Sequence, residues 1–154
     1  MKFSLRNRSK NFKQTAVMLG TLMGSAAINY TIVHNPLVFV MIMALFVHEL
    51  GHYFVARKRK ANPDLPFFIP LFPFLIGITR IKDAQDSDAP AILLAGASFA
   101  SLFFIVFIMF NYFYRLFSFT PLFLMLSFEI LFNYFGFDGR KYRYFKSQNN
   151  LVHT

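Results

Sequence analysis

The chain contains no cysteine and few charged residues. The absence of cysteine excludes disulfides and thiolate ligands, so a metal site would need histidine and carboxylate side chains. Charged residues make up 15% of the 154 positions, against about 25% in an ordinary soluble protein. With a hydrophobic content of 56%, this scarcity predicts a single-domain integral membrane protein.

Acidic residues are especially scarce, with 7 against 16 lysines and arginines and a net charge of +9. Such an excess would suit a nucleic-acid-binding protein, but here the basic residues lie at the ends of apolar runs. That placement is typical of membrane topology signals and of contacts with lipid headgroups. We therefore expect the lipid bilayer as a partner and no nucleic acid.

Long apolar runs dominate the rest of the chain, and four of them suit membrane-spanning helices: residues 15–33, 37–56, 91–112 and 119–135. Basic segments flank this domain of residues 15–138, with a cytoplasmic N-terminus over 1–14 and a cytoplasmic tail over 139–154. The sequence thus predicts an all-α membrane protein with about four transmembrane helices. We expect a multi-pass protein of a bacterial cell membrane with both termini in the cytoplasm.

The first apolar run has a second interpretation as a cleaved signal peptide. Small residues at Ser25-Ala26-Ala27 resemble a cleavage point after a short apolar core. A retained helix is preferred because the apolar character resumes at Ile28 and continues to Val33.

A proline-rich stretch separates the second and third runs. Four prolines and Gly77 exclude a long helix over residues 61–79. This apolar stretch is predicted to form a re-entrant loop or short hairpin, covered by protein or lining a cavity. The alternation from Ile76 to Ile81 favours an edge strand that can pair with an extended peptide, a loop that merely fills space being the alternative.

The second run carries the pattern His-Glu-x-x-His. On a helix, His48 and His52 project one turn apart from the same face and can bind one metal ion. Glu49 lies beside that face, where it can take a proton from metal-activated water. His48 is about 13 Å from Arg57, given the rise of an α-helix, which puts the motif within the membrane toward the cytoplasmic side. The alternative is a pair of hydrogen-bonded core histidines.

Two histidines leave a catalytic zinc short of a third protein ligand. Asp138 follows the fourth run, on the same predicted side of the membrane as the histidines, and Gly136 and Gly139 allow the backbone to turn there. Glu129, within the fourth run, is the rival candidate. Asn133, on the same helical face as Glu129, is predicted to orient the Asp138 segment or to hold a substrate carbonyl, an interhelical hydrogen bond being the alternative.

These patterns resemble the site-2 protease family of intramembrane zinc metalloproteases, over residues 47–140. The resemblance rests on four segments: His48-Glu49-Leu50-Gly51-His52, the proline-rich stretch with Gly77 and Arg80-Ile81, Leu94-Ala95-Gly96-Ala97, and Asn133 through Asp138-Gly139. The chain departs from the family pattern in four ways: Ala97 and Gly136 stand where prolines are usual, the spacer between Asn133 and Asp138 is short, and Arg140 replaces a glycine.

The resemblance implies an enzyme with one Zn²⁺ held by His48, His52 and Asp138, and with Glu49 as catalytic base. Its substrate would be a single-span membrane protein or peptide, which Gly77, Thr79, Arg80 and Asn133 would bind or orient. Two other functions stay open. One is a metal-binding, non-catalytic membrane protein with a regulatory or immunity role, and the other is a membrane-anchored zincin with a cytosolic site.

Overall fold

The computed structural model contains five regular elements, and the residues it describes are 2–71, 74–83, 85, 87–118, 120, 121, 123, 124 and 127. The elements in chain order are the helices and strands α1 Lys2–Val33, α2 Leu37–Lys58, β1 Phe67–Leu71, β2 Phe74–Ile78 and α3 Ala89–Tyr114.

Three helices in this part of the chain are long and apolar enough to cross a membrane. They are Phe12–Val33 within α1, Leu37–Lys58 and Ala89–Tyr114. The first three predicted spans are therefore confirmed as helices of sufficient length and apolarity, and they indicate a multi-pass membrane protein. The predicted fourth span falls mostly outside the described residues, and the tail from residue 139 lies wholly outside them.

A tight link joins α1 to α2. His34 adopts a positive φ of 50°, and Asn35 Oδ1 accepts a hydrogen bond of 2.9 Å from the Leu37 backbone N–H. Pro36 precedes the first residue of α2, where its missing N–H costs no helical hydrogen bond. The short link sends α2 back alongside α1, and the rings of Tyr30 and Phe39 stack across it at 5.2 Å.

The proline-rich stretch forms an antiparallel hairpin of β1 and β2, so the short-hairpin alternative is the one observed. The Phe68 N–H donates to Thr21 Oγ1 of α1 at 3.2 Å and therefore points away from β2. Phe68 and Gly77 thus form a pair whose backbone N–H and C=O groups face outward. Pro70 lies two residues on, in the same outward orientation, where a missing N–H breaks no bond between the strands.

The closest helix contact lies between α2 and α3. A side chain on Gly51 would meet the Ala95 carbonyl oxygen at 2.6 Å, so the two backbones touch where only glycine fits. Small residues at such a contact let two helices approach closely. Away from that contact, large apolar side chains such as Leu102 and Phe113 are well exposed, as expected for surfaces that face lipid.

Candidate metal centre

The metal-motif residues lie in the C-terminal half of α2, and their side chains are buried. His48, Glu49 and His52 are 5%, 6% and 8% exposed. A potential metal-ligating atom of each lies within 4.8 Å of one from each of the others. The i, i+4 spacing places the two histidine rings one helical turn apart on the same face of α2. The apolar residues that flank them in α2 keep the group buried. The cluster can hold a metal ion.

The two imidazoles point at one another through equivalent atoms. His48 Nε2 and His52 Nε2 are 3.1 Å apart, and the ring planes are nearly perpendicular, at 80°. His52 Nδ1 lies 2.7 Å from the Ile92 carbonyl oxygen of α3. Since a carbonyl only accepts, Nδ1 carries the hydrogen, and in the neutral ring Nε2 is left with a lone pair. A metal-binding histidine is commonly oriented in this way.

Helix α3 forms the wall against which both imidazoles rest. A Cβ placed on Gly96 would lie 2.4 Å from His52 Nε2 and 2.7 Å from His48 Nε2. Gly96 follows Ile92 by one helical turn, so the same missing side chain leaves the Ile92 carbonyl open to His52. Glycine at this position therefore shapes the floor of the cluster and exposes the acceptor that orients one ring.

Glu49 is held by the other neighbour of α2, the hairpin. Thr79 Oγ1 lies 2.7 Å from Glu49 Oε2 and donates its hydroxyl hydrogen to that carboxylate oxygen. Gly77 lies directly over the carboxylate stem, because a Cβ on this glycine would contact Glu49 Cγ and Cδ. Gly77 and Thr79 lie two residues apart and so share one face of the chain, and this face meets Glu49.

The donor set fits a tetrahedral divalent metal. Ligand bonds of about 2.0–2.1 Å in tetrahedral geometry separate two imidazole nitrogens by roughly 3.3 Å, close to the 3.1 Å between the Nε2 atoms here. The glutamate lies near the two rings and is tied back to Thr79. The two histidines supply two of the four ligands of a tetrahedral site, so a third protein ligand and a water would complete it.

Three of the remaining predicted site residues, Asp138, its rival Glu129 and Asn133, lie outside the described residues. The fourth, Arg80, is described and does not belong to the cluster. Arg80 is exposed, and its guanidinium carbon lies 5.5 Å from the centre of the Phe67 ring, whereas its neighbour Thr79 contacts Glu49.

Two features of the site were not predicted from the sequence. One is the Ile92 carbonyl as the partner of His52, because a backbone acceptor leaves no signature in residue types. The other is Gly96, which entered only as part of the family resemblance and not as the surface beneath the imidazoles. The available signal was the glycine in Ala95-Gly96-Ala97. Glycine destabilises a helix interior, so its presence there indicates that close packing requires it.

The fold and the cluster define a helical protein with three candidate membrane spans in its described part and a buried group of residues able to hold a metal ion. Comparison with protein-family models, with curated proteins and with solved structures gives no match.

Proposed function

We propose that this protein is an intramembrane zinc metalloprotease that hydrolyses peptide bonds of membrane-spanning or membrane-associated peptides. The observation that carries the proposal is the convergence of His48 Nε2 and His52 Nε2, 3.1 Å apart and buried within a helix apolar enough to cross a membrane. Ionisable side chains inside a membrane are energetically costly to bury, so they are functional candidates by default. The resemblance to the site-2 protease family points to the same chemistry.

Zinc, when bound by the two histidines and Asp138, supplies a Lewis acid that polarises the scissile carbonyl and acidifies water. Glu49 accepts the proton of the attacking water and passes it to the leaving amine. The Thr79 hydroxyl bonds to Glu49 Oε2 and so fixes the rotamer of this base. Pre-organisation of this kind removes the cost of positioning the carboxylate during each turnover.

The hairpin supports the proposal because β2, the strand with a free outer edge, lies beside the base. The Gly77 N–H and C=O point away from β1, so they are available to pair with another strand. A helical substrate hides its carbonyls in internal hydrogen bonds, whereas an extended one added at this edge exposes them next to Glu49. The missing Gly77 side chain makes room for the Glu49 stem, so β2 can lie directly against the base.

The experiment is cleavage of single-span peptides in proteoliposomes, followed by mass spectrometry of the products. We expect wild-type protein and His34→Ala to cleave a subset of a peptide library, because His34 lies in the exposed link between α1 and α2. Glu49→Gln should retain bound zinc and lose cleavage by at least about 100-fold, the scale of general-base catalysis. Cleavage at the wild-type rate by Glu49→Gln would rule out the assigned base.

The departures around Asp138, where Gly136 and Arg140 replace the usual residues, favour one alternative: a membrane protein that binds a metal without catalysis. Its signature would be stoichiometric zinc in the wild type with no product from any peptide in the library.

A further inference from the structure

A second recess lies away from the histidine cluster, between the start of the apolar part of α1 and the segment that leads into β1. Its volume is about 220 Å³. The residues that line this cavity are Lys13, Gln14, Val17, Asp64, Leu65, Phe67 and Arg80.

The cavity carries an excess of positive charge. Its one carboxylate, Asp64, forms an ion pair of 2.7 Å with Lys82 Nζ and accepts a hydrogen bond of 2.7 Å from Gln14 Nε2. Within the described residues, no ion pair involves Lys13 or Arg80. The charge of Asp64 is thus balanced by Lys82, which lies outside the cavity lining. The charges of Lys13 and Arg80 therefore make the recess positive.

The position of these cations matches the level of lipid headgroups. The apolar span of α1 begins at Phe12, so Lys13 lies in its first turn. The Gln14–Asp64 bond ties that turn to the segment after α2, whose last turn and following residues are the basic run Arg57-Lys58-Arg59-Lys60. Val17, one turn deeper than Lys13, lines the cavity together with the apolar residues Leu65 and Phe67.

We propose that this cavity binds the phosphate group of an anionic phospholipid. Lys13 and Arg80 attract the phosphate, as basic pockets between membrane helices do. The Phe67 ring, 5.5 Å below the guanidinium carbon, holds Arg80 at the cavity wall. The apolar wall of Val17, Leu65 and Phe67 receives the glycerol end of the lipid. The cavity is smaller than pockets for drug-sized ligands, about 300–1,000 Å³, so it accommodates a headgroup while the acyl chains stay in the bilayer.

The test is native mass spectrometry of the detergent-purified full chain, titrated with phosphatidylglycerol, phosphatidylcholine or inorganic phosphate. The cavity variant combines Lys13→Gln and Arg80→Gln, and the matched control combines Lys58→Gln and Lys60→Gln, two exposed cations at the same end of the bundle. We expect one phosphatidylglycerol per chain in the wild type and the control, and at least a tenfold weaker affinity in the cavity variant. Phosphatidylcholine and free phosphate should bind at least tenfold more weakly than phosphatidylglycerol.

Three results would overturn the proposal. Equal weakening in both double variants would indicate a diffuse basic surface, and unchanged affinity in the cavity variant would exclude Lys13 and Arg80. Inorganic phosphate that binds as tightly as phosphatidylglycerol would indicate a site for a soluble anion. The single change Lys13→Gln, at an exposed helix position, is the second variant should the double one fail to fold, and it should weaken phosphatidylglycerol binding at least threefold.

Discussion

The two sides of the candidate metal centre are built differently. On one side, the imidazoles of His48 and His52 rest against α3, where the contacts are a backbone carbonyl and a glycine. On the other side, Glu49 rests against the hairpin, where a hydroxyl bonds the carboxylate and a glycine lies over its stem. Helix α2 thus presents the two candidate metal ligands to α3 and the proposed base to the hairpin.

Under the proposed function, this difference makes metal binding depend on α3 and catalysis on the hairpin. Changes on the α3 side should remove the metal, and with it all activity. Changes on the hairpin side should leave the metal in place and lower only the rate. The predictions below test whether the two sides separate in this way.

The largest effect is expected for Gly96→Ala. Its new Cβ would lie well inside contact distance of both imidazole Nε2 atoms, so the rings or α3 must move. Because a metal needs both nitrogens converging on one point, we expect bound zinc to fall at least tenfold, as measured by elemental analysis of purified protein.

Gly24→Ala is the matched control, since a Cβ there meets no atom within 4 Å. It should keep the full zinc content. Wild-type zinc in Gly96→Ala would show that α3 does not shape the ligand side.

A smaller effect is expected for Thr79→Val on the hairpin side. The change removes the 2.7 Å hydrogen bond to Glu49 while keeping the side-chain volume. A hydrogen bond to a charged group contributes roughly 1.5–3 kcal/mol, which corresponds to about a 10- to 150-fold loss of kcat if the bond serves the base alone. Bound zinc should not change, and Thr79→Ser should restore most of the rate. Equal zinc loss in Thr79→Val and Gly96→Ala would remove the distinction between the two sides.

The smallest effect is expected at the far edge of the hairpin. Thr21→Val deletes the hydroxyl that accepts the Phe68 N–H, leaving one backbone donor of β1 without its partner on α1. An unsatisfied buried donor costs about 1–3 kcal/mol, so faster amide exchange of Phe68 is expected with zinc unchanged. Thr31→Val, which removes a hydroxyl bonded only within α1, is the control and should leave Phe68 exchange as it is.

Much of this architecture follows from the sequence because a helix that crosses lipid must be long and apolar. The runs around Val17, Ala44 and Phe104 are long and apolar, and the helices formed there agree with the predicted spans. Prolines between residues 63 and 73 excluded a helix, and the hairpin places Pro70 where no N–H is needed. The i, i+4 spacing of His48 and His52 was sufficient to predict that their rings converge.

The contacts that orient the site were harder to foresee. Thr79 was expected to bind or orient a substrate, while the structure bonds its hydroxyl to Glu49. The choice depends on which face of β2 meets α2, and a period-two pattern does not specify that face without its partner. The choice of the Ile92 carbonyl as the partner of His52 likewise depends on where along its length α3 crosses α2. Tertiary placement of this kind is not encoded in local residue types.

The central claim is that His48 and His52 hold a divalent metal ion, and metal content tests it most directly. Zinc would be measured by elemental mass spectrometry in detergent-purified wild type, His48→Ala and His34→Ala, the last altering an exposed histidine at the opposite end of α2. We expect about one zinc per chain in the wild type and His34→Ala and close to none in His48→Ala. No zinc in any of the three after purification with added metal, or equal zinc in all of them, would contradict the account.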